Sequence, residues 1–228
     1  MIRIRRASER GTTRTAWLES RHTFAFGDYR DPAQLGFANL RVINDDVVAP
    51  GGGFAPHGHR EMEIVTLVLA GALAHRDSLG SAGVIRAGEV QRMSAGTGIT
   101  HSELNASQSE PVHFLQIWIE PERLGAEPGY EQRALPAGAG LHRIASPASP
   151  AALRINAQCE LDLARLASGE PLTFAPARSR RGWLQVVRGE LALAGFALGP
   201  GDGAALDGER EVELVARSAS EVLLFELR

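Results

Sequence analysis

Lysine is absent from the 228 residues, and all 24 basic side chains are arginine. That removes Schiff-base lysine chemistry and the phosphate-binding lysine of Walker-type nucleotide sites. Cys159 is the single cysteine, so an intramolecular disulfide and a multi-thiolate zinc cluster are both excluded, and a reducing compartment fits. There is no basic excess either. A formal net charge of −3 leaves no electrostatic footprint for direct nucleic-acid binding. The densest arginine cluster, Arg178, Arg180, Arg181 and Arg188, reads as a solvated face. Long apolar runs are also missing: the longest, Ile64 to Ala74, contains Thr66 and Gly71 and falls far short of the ~20 residues a membrane-spanning helix needs. The opening Met1-Ile2-Arg3-Ile4-Arg5-Arg6 is not followed by the apolar stretch of a signal peptide. The expectation is a cytoplasmic protein with no membrane partner.

What is present is ordinary for a globular chain, with 44% hydrophobic and 22% charged residues, enough for one or two compact domains with their own cores. Short β-rich runs end in turn-forming clusters: Leu40 to Ile43 before Asn44-Asp45-Asp46, Ile64 to Leu69 before Ala70-Gly71, and His113 to Ile119 before Glu120-Pro121. This pattern predicts an all-β sandwich or barrel. Only Leu161 to Leu166 carries a helical expectation.

Between Glu131 and Ala152 the chain is rich in Ala, Pro, Gly and Ser, which predicts a linker or a long surface crossover. An internal repeat flanks it. Phe54-Ala55-Pro56 is echoed by Phe174-Ala175-Pro176. The strand-like run and Gly71-Ala72-Leu73 are echoed by Trp183 to Val187 and Gly189-Glu190-Leu191, and Ala87-Gly88-Glu89-Val90 by Pro200-Gly201-Asp202-Gly203. The expected domains are residues 1–133 and 134–228, two tandem copies of one β-barrel unit. Aligned on the triplet, His57 and His59 correspond to Ala177 and Ser179, and no histidine follows His142. The second copy therefore lacks the ligands for a histidine-bound metal; the role expected of it is structural, covering strand edges and apolar surface of the first copy, with a partner-binding surface as the alternative.

The chemistry concentrates in the first copy. In His57-Gly58-His59 the two imidazoles are separated by one residue, so on an extended strand both point to the same face. His101 and Glu103 repeat the spacing. On a neighbouring strand they would bring four ligating groups to one point. Three imidazoles and a carboxylate suit Fe, Mn, Cu, Ni or Zn better than Mg or Ca, and leave coordination positions open for a substrate. Among the other histidines, His22 and His113 read as structural groups held by hydrogen bonds to backbone, and His75 and His142 as exposed. Gly96-Thr97-Gly98-Ile99-Thr100-His101 lacks the third glycine of a dinucleotide loop, and no Gly-x-Ser-x-Gly elbow occurs.

Two glycine-framed segments, Gly51-x5-His57-x-His59-x3-Glu63 and Gly88-x5-Ser94-x-Gly96 with Gly98-x2-His101-x3-Asn105, resemble the two motifs of the cupin superfamily. Ser94 stands where a proline is usual, and two extra residues separate Gly96 from His101. The usual carboxylate ligand would be Glu63, with Glu103 competing for the role. That variation resembles the pirin family, a bicupin group. The likeness extends over His22-Thr23-Phe24-Ala25-Phe26, Leu40 to Asp46, Pro56 to Glu63, and Met93 to Glu103.

The resemblance implies an all-β bicupin, two tandem double-stranded β-helix (jelly-roll) barrels with few short helices, of which the first binds metal and the second has lost its ligands. It implies one divalent transition metal on His57, His59, His101 and Glu103, Fe(II) before Mn, Cu, Ni or Zn, with Glu63 a hydrogen-bond partner behind the ligands. Bacterial pirins are similar to quercetin 2,3-dioxygenases, also called flavonol 2,4-dioxygenases. The activity implied is opening of a flavonol ring by O2 with release of CO and a depside, Glu103 being the catalytic base. The partners expected are a small aromatic substrate and O2, on a monomer. The alternative is the vertebrate-pirin type of role: an iron-binding, redox-responsive protein that recognises a protein partner without physiological flavonol turnover.

Overall fold

The computed structural model describes residues 1–209 and 211–228. It is almost entirely β, with one single-turn 3-10 segment at Ala7–Glu9. The strands of the first half are β1 (Ile2–Arg5), β2 (Gly11–Arg14), β3 (Leu18–His22), β4 (Leu40–Val48), β5 (Gly53–His59), β6 (Glu63–Ala70), β7 (Ala72–Asp77), β8 (Ala82–Arg86), β9 (Glu89–Ser94), β10 (Ile99–Asn105), β11 (Val112–Ile119) and β12 (Gly129–Ala134). There follow β13 (Gly140–Ser146), β14 (Leu153–Arg154), β15 (Cys159–Leu166), β16 (Pro171–Phe174), β17 (Arg181–Arg188), β18 (Leu191–Leu193), β19 (Phe196–Leu198), β20 (Gly203–Leu206), β21 (Val212–Ala216) and β22 (Ser220–Leu227).

Two compact units result. One comprises Gly11–Leu135 with Leu153–Ala157; the other comprises Met1–Arg10, Pro136–Ala152 and Gln158–Arg228. Each half of the chain thus contributes a short segment to the unit built mainly by the other half. In the first unit a large sheet runs β12-β9-β6-β11-β4-β3-β2 and a small one β5-β10-β7-β8. In the second, the large sheet runs β1-β20-β17-β22-β15-β13 and the small one β16-β21-β18-β19. The strand orders are the same at matched positions, which is the repeat read from the sequence. Only the sources differ: β12 closes the edge beside β9, whereas β1 supplies the equivalent edge with Ile2 opposite Leu206 and Arg5 opposite Gly203.

Two sequence expectations are corrected here. Leu161 to Leu166 lies in β15, because ladders to β13 on one side and β22 on the other satisfy its backbone along its length. Such long-range pairing overrides the helix preference of Leu, Ala and Arg. The stretch 131–152 is no linker throughout: it holds most of β12 and all of β13. Small residues read as loop composition, but the ladders are made by backbone groups that every non-proline residue carries.

The cores differ as the site requires. Inside the second unit, Leu184, Val186, Leu191, Leu214, Val222 and Leu224 pack together with Ile2 and Ile4 against them. In the first unit, Val48, Val68, Leu73, Ile85, Val112 and Phe114 form one apolar cluster and Ile64, Met93, Ala95 and Ile99 another. The buried residues of the first unit also include a polar set, among them Asp46, Thr66, His75, Gln91, His101, Glu103 and Gln116. Burial of that many polar groups is stable only where they satisfy one another or await a ligand.

Candidate metal centre

The small sheet of the first unit positions the histidines. β10 lies between β5 and β7, with His101 opposite both His57 and Asp77, and Glu103 opposite His75. Between His101 and Glu103 the β5 register slips, so that Glu103 faces Phe54 and β5 carries one residue more than β10. The extra length falls at Ala55-Pro56, on an edge strand, where proline's missing N–H costs no ladder bond. The Ala55 carbonyl released there accepts from His57 Nδ1 at 2.8 Å. Since a carbonyl only accepts, Nδ1 carries the hydrogen and Nε2 presents its lone pair.

The ring centroids of His57, His59 and His101 are 4.5 to 4.9 Å apart, and each ring offers a nitrogen within 4.8 Å of the others. His101 is buried, yet neither of its ring nitrogens has a hydrogen-bond partner among the described residues. Burial, reinforced by His57, pushes the His59 pKa down to about 4; burial together with His57, His59 and His75 pushes that of His101 down to about 3. Both rings are therefore neutral near pH 7, the form that donates to a metal. Unprotonated imidazoles with unsatisfied buried nitrogens fit a divalent transition metal.

Glu103 adjoins this cluster through His101. Its Oε1 accepts from Gln91 Nε2 at 2.8 Å and its Oε2 from Gln116 Nε2 at 2.7 Å. Burial raises its pKa to about 7, against the lowering effect of those two amides. The structure puts Glu63 elsewhere: its Oε2 accepts from Ser94 Oγ at 2.8 Å and the Asn156 backbone N–H at 3.2 Å. Among the described residues, no cluster of three ligand atoms includes Glu63. The serine at the usual proline position is thus the donor that engages Glu63.

Several neighbours went unread in the sequence. His75, expected to be exposed, is 2% exposed, with Nε2 3.1 Å from Asp77 Oδ2 and its ring stacked on Tyr130 at 4.4 Å. The signal was available, since His75-Arg76-Asp77 has the same one-residue spacing as the two pairs singled out. Gln91 and Gln116 carried no such signal. Trp118 meets His59 edge-on at 4.9 Å and Phe26 at 5.4 Å. Beside His59 an open cleft of about 410 Å³ is lined by Gly58, Arg60, Ser78, Ile99 and Thr100. The structural histidines use side chains instead of the expected backbone groups: His22 meets Thr13 and Asn44, each at 2.8 Å, and His113 meets Asp45 at 2.6 Å. His142, also expected to be exposed, is half-buried and 3.2 Å from the Gly138 carbonyl.

Asp46 is a second buried carboxyl group of this unit. Its Oδ1 has no hydrogen-bond partner among the described residues, and burial raises its pKa from 3.8 to about 7 despite a hydrogen bond with Ser20. A carboxyl whose pKa is higher folded than unfolded contributes stability that is complete below about 3.8 and lost as the pH rises through about 7. Asp46→Asn is therefore expected to raise the melting temperature of the metal-free protein near pH 8 and to flatten its decline between about pH 4 and about pH 7, an effect on the order of a few kcal/mol. Calorimetric melts across that range test this, and an unchanged slope would show that Asp46 is not the group responsible.

Comparison with known proteins identifies the setting. The Pirin family model matches residues 3–119, and that of the quercetinase C-terminal cupin domain matches residues 143–227. A quercetin 2,3-dioxygenase of Escherichia coli K12 is 46% identical over 228 residues, covering 100% of this chain and 99% of that protein. A putative quercetin 2,3-dioxygenase of Mycobacterium bovis is 46% identical over 99% of this chain and 95% of its own length. The crystal structure of YhhW from Escherichia coli superposes with a TM-score of 0.98 at 46% identity, covering 100% of this chain and 98% of that one. That of bacterial pirin YhhW in complex with nickel(II) gives 0.96 at the same identity, covering 100% and 99%. A two-unit β architecture with a histidine cluster in one unit, matched in sequence and backbone along its whole length, makes this chain a member of the pirin family, with a bicupin fold.

Proposed function

We propose that this protein is a metal-dependent dioxygenase of the quercetin 2,3-dioxygenase type, opening a flavonol ring with O2 and releasing CO and a depside. The observation that carries the reading is the cluster of three imidazoles beside the buried Glu103, in a chain 46% identical over its full length to a protein named for that activity. His57, His59, His101 and Glu103 would hold the ion, Fe(II) in first place. The related structure with nickel(II) supports a donor set open to several divalent metals. When bound, such a metal supplies Lewis acidity and a centre for dioxygen chemistry.

The chain's own groups have distinct tasks. Glu103, buried beside the histidine cluster, would take the proton of a flavonol 3-hydroxyl on a carboxylate oxygen. Gln91 and Gln116 hold that carboxylate from both sides, so it enters the reaction already oriented. Trp118, edge-on to His59, and Phe26 offer apolar surface to a planar ring at the cluster. The cleft beside His59 has the volume of small-molecule sites and gives the substrate its approach.

The test is to measure metal content and aerobic quercetin consumption on one preparation. One O2 consumed and one CO released per quercetin, with no reaction under anaerobic conditions, is the expected result. Bound iron without oxygen uptake on any flavonol would overturn it in favour of the partner-binding role.

A further inference from the structure

We infer a second, inner metal seat formed by His75, His101 and Glu103, an alternative position for the ion that shares two ligands with the outer seat. The inference rests on the reading of this barrel as metal-binding. One ligand atom from each of the three residues lies within 4.8 Å of the others. All three side chains are buried, whereas His57 and His59 are half-exposed, so the inner set lies farther from solvent. The ladder explains the meeting: Glu103 on β10 is directly opposite His75 on β7, and cross-strand partners share a face.

The tautomer of His75 is prepared for coordination. Asp77 Oδ1 accepts the backbone N–H groups of Leu79 and Ser81, at 2.9 and 3.0 Å, which fixes the carboxylate as an acceptor. Its Oδ2 therefore takes the hydrogen of His75 Nε2. His75 Nδ1 is left with a bare lone pair, and among the described residues nothing donates to it. A buried acceptor without a partner is destabilising, so such a group calls for an explanation. Donation of the second ring N–H to a carboxylate is the arrangement that orients metal-ligating histidines and raises their basicity. Stacking on Tyr130, with 21° between the planes, fixes the ring orientation. His101, with both nitrogens unpartnered, is available to either seat. Two imidazoles and a carboxylate match a borderline divalent transition ion, and because the seats share His101 and Glu103 a single ion is expected in either case.

The test is titration of the full chain with Co(II), followed by calorimetry and by the visible absorption of the ion. The wild type, His57→Ala/His59→Ala, that double variant with His75→Phe added, and that double variant with Asp77→Asn added are compared. The double variant is expected to bind one Co(II) roughly 100-fold more weakly than the wild type, with a changed spectrum. Adding His75→Phe should abolish this residual binding, and adding Asp77→Asn, which keeps the ligand but removes its orienting charge, should weaken it a further ~10-fold. Should the His75→Phe variant fail to fold, the Asp77→Asn arm decides. Loss of all Co(II) binding in the double variant, or residual binding indifferent to both added substitutions, would overturn the inner seat. Failure of the outer seat has a different signature: the double variant would bind as tightly as the wild type, or the wild type would bind no metal.

Discussion

Glu103→Gln is expected to lower flavonol turnover by roughly 10²–10⁴-fold while metal content falls far less, because the substitution removes the proton acceptor but leaves the three histidines in place. The surroundings make the change sharper than charge loss alone. Gln91 and Gln116 each direct an Nε2 donor at one oxygen of the carboxylate. A glutamine has one oxygen and one amide nitrogen, so one neighbouring donor would face another donor unless its own amide turns. Glu103→Ala would leave both donors aimed at a cavity and should reduce turnover at least as much. Metal analysis and oxygen uptake on the same samples, with circular dichroism to confirm the fold, make the check. Parallel loss of metal and turnover in both variants would reduce Glu103 to a ligand and remove it as the base.

Gly53→Ala carries the second large effect, through the backbone. Gly53 has φ of +149°, and a Cβ there would lie 2.5 Å from the Glu103 carbonyl oxygen and 2.6 Å from the Leu104 Cα. Neither atom belongs to a flexible side chain tip. Relief requires β5 and β10 to separate at the very point where the register slips to present His57 and Glu103. Destabilisation on the order of 2–3 kcal/mol is expected, together with weaker metal binding, since the two strands carry all the outer ligands. Denaturant unfolding reads the first and Co(II) titration the second. Gly195→Ala serves as a control: its φ is +85°, but a Cβ meets nothing within 4 Å, so a stability cost without a metal effect is expected. Equal metal affinity in the two glycine variants would show that the strand spacing at Gly53 does not govern the site.

Much of the site was legible because a strand converts sequence spacing directly into direction. The pairs His57/His59 and His101/Glu103 each follow the two-residue period, and that alone predicts a shared face. The preference for Glu103 over Glu63 rests on the family resemblance, and Glu63's hydrogen bonds with Ser94 and Asn156 give a physical account of what Glu63 does instead. His75 obeys the same period with Asp77 but was read as exposed, since β7 sits in an alternating stretch whose buried face is set by its neighbours. Gln91 and Gln116 could not be picked out at all. An isolated glutamine is most often a surface residue, and only the approach of β9 and β11 to the same interior brings both amides to one carboxylate.

By itself, then, the sequence determined the chemistry available: no lysine, one cysteine, no histidine after His142, two spaced pairs of ligating groups, and a repeated β pattern of which one copy lacks the donors. These follow from residue identity and from the local period of an extended chain. The tertiary structure alone decided that β1 joins the unit built by the C-terminal half, pairing Ile2 with Leu206. It also decided that Leu161 to Leu166 is a strand and that His75 is buried beside His101 and Glu103. Each depends on which strands lie side by side, and strand pairing is made by backbone groups common to every non-proline residue. It is closure of the whole barrel that selects among such pairings.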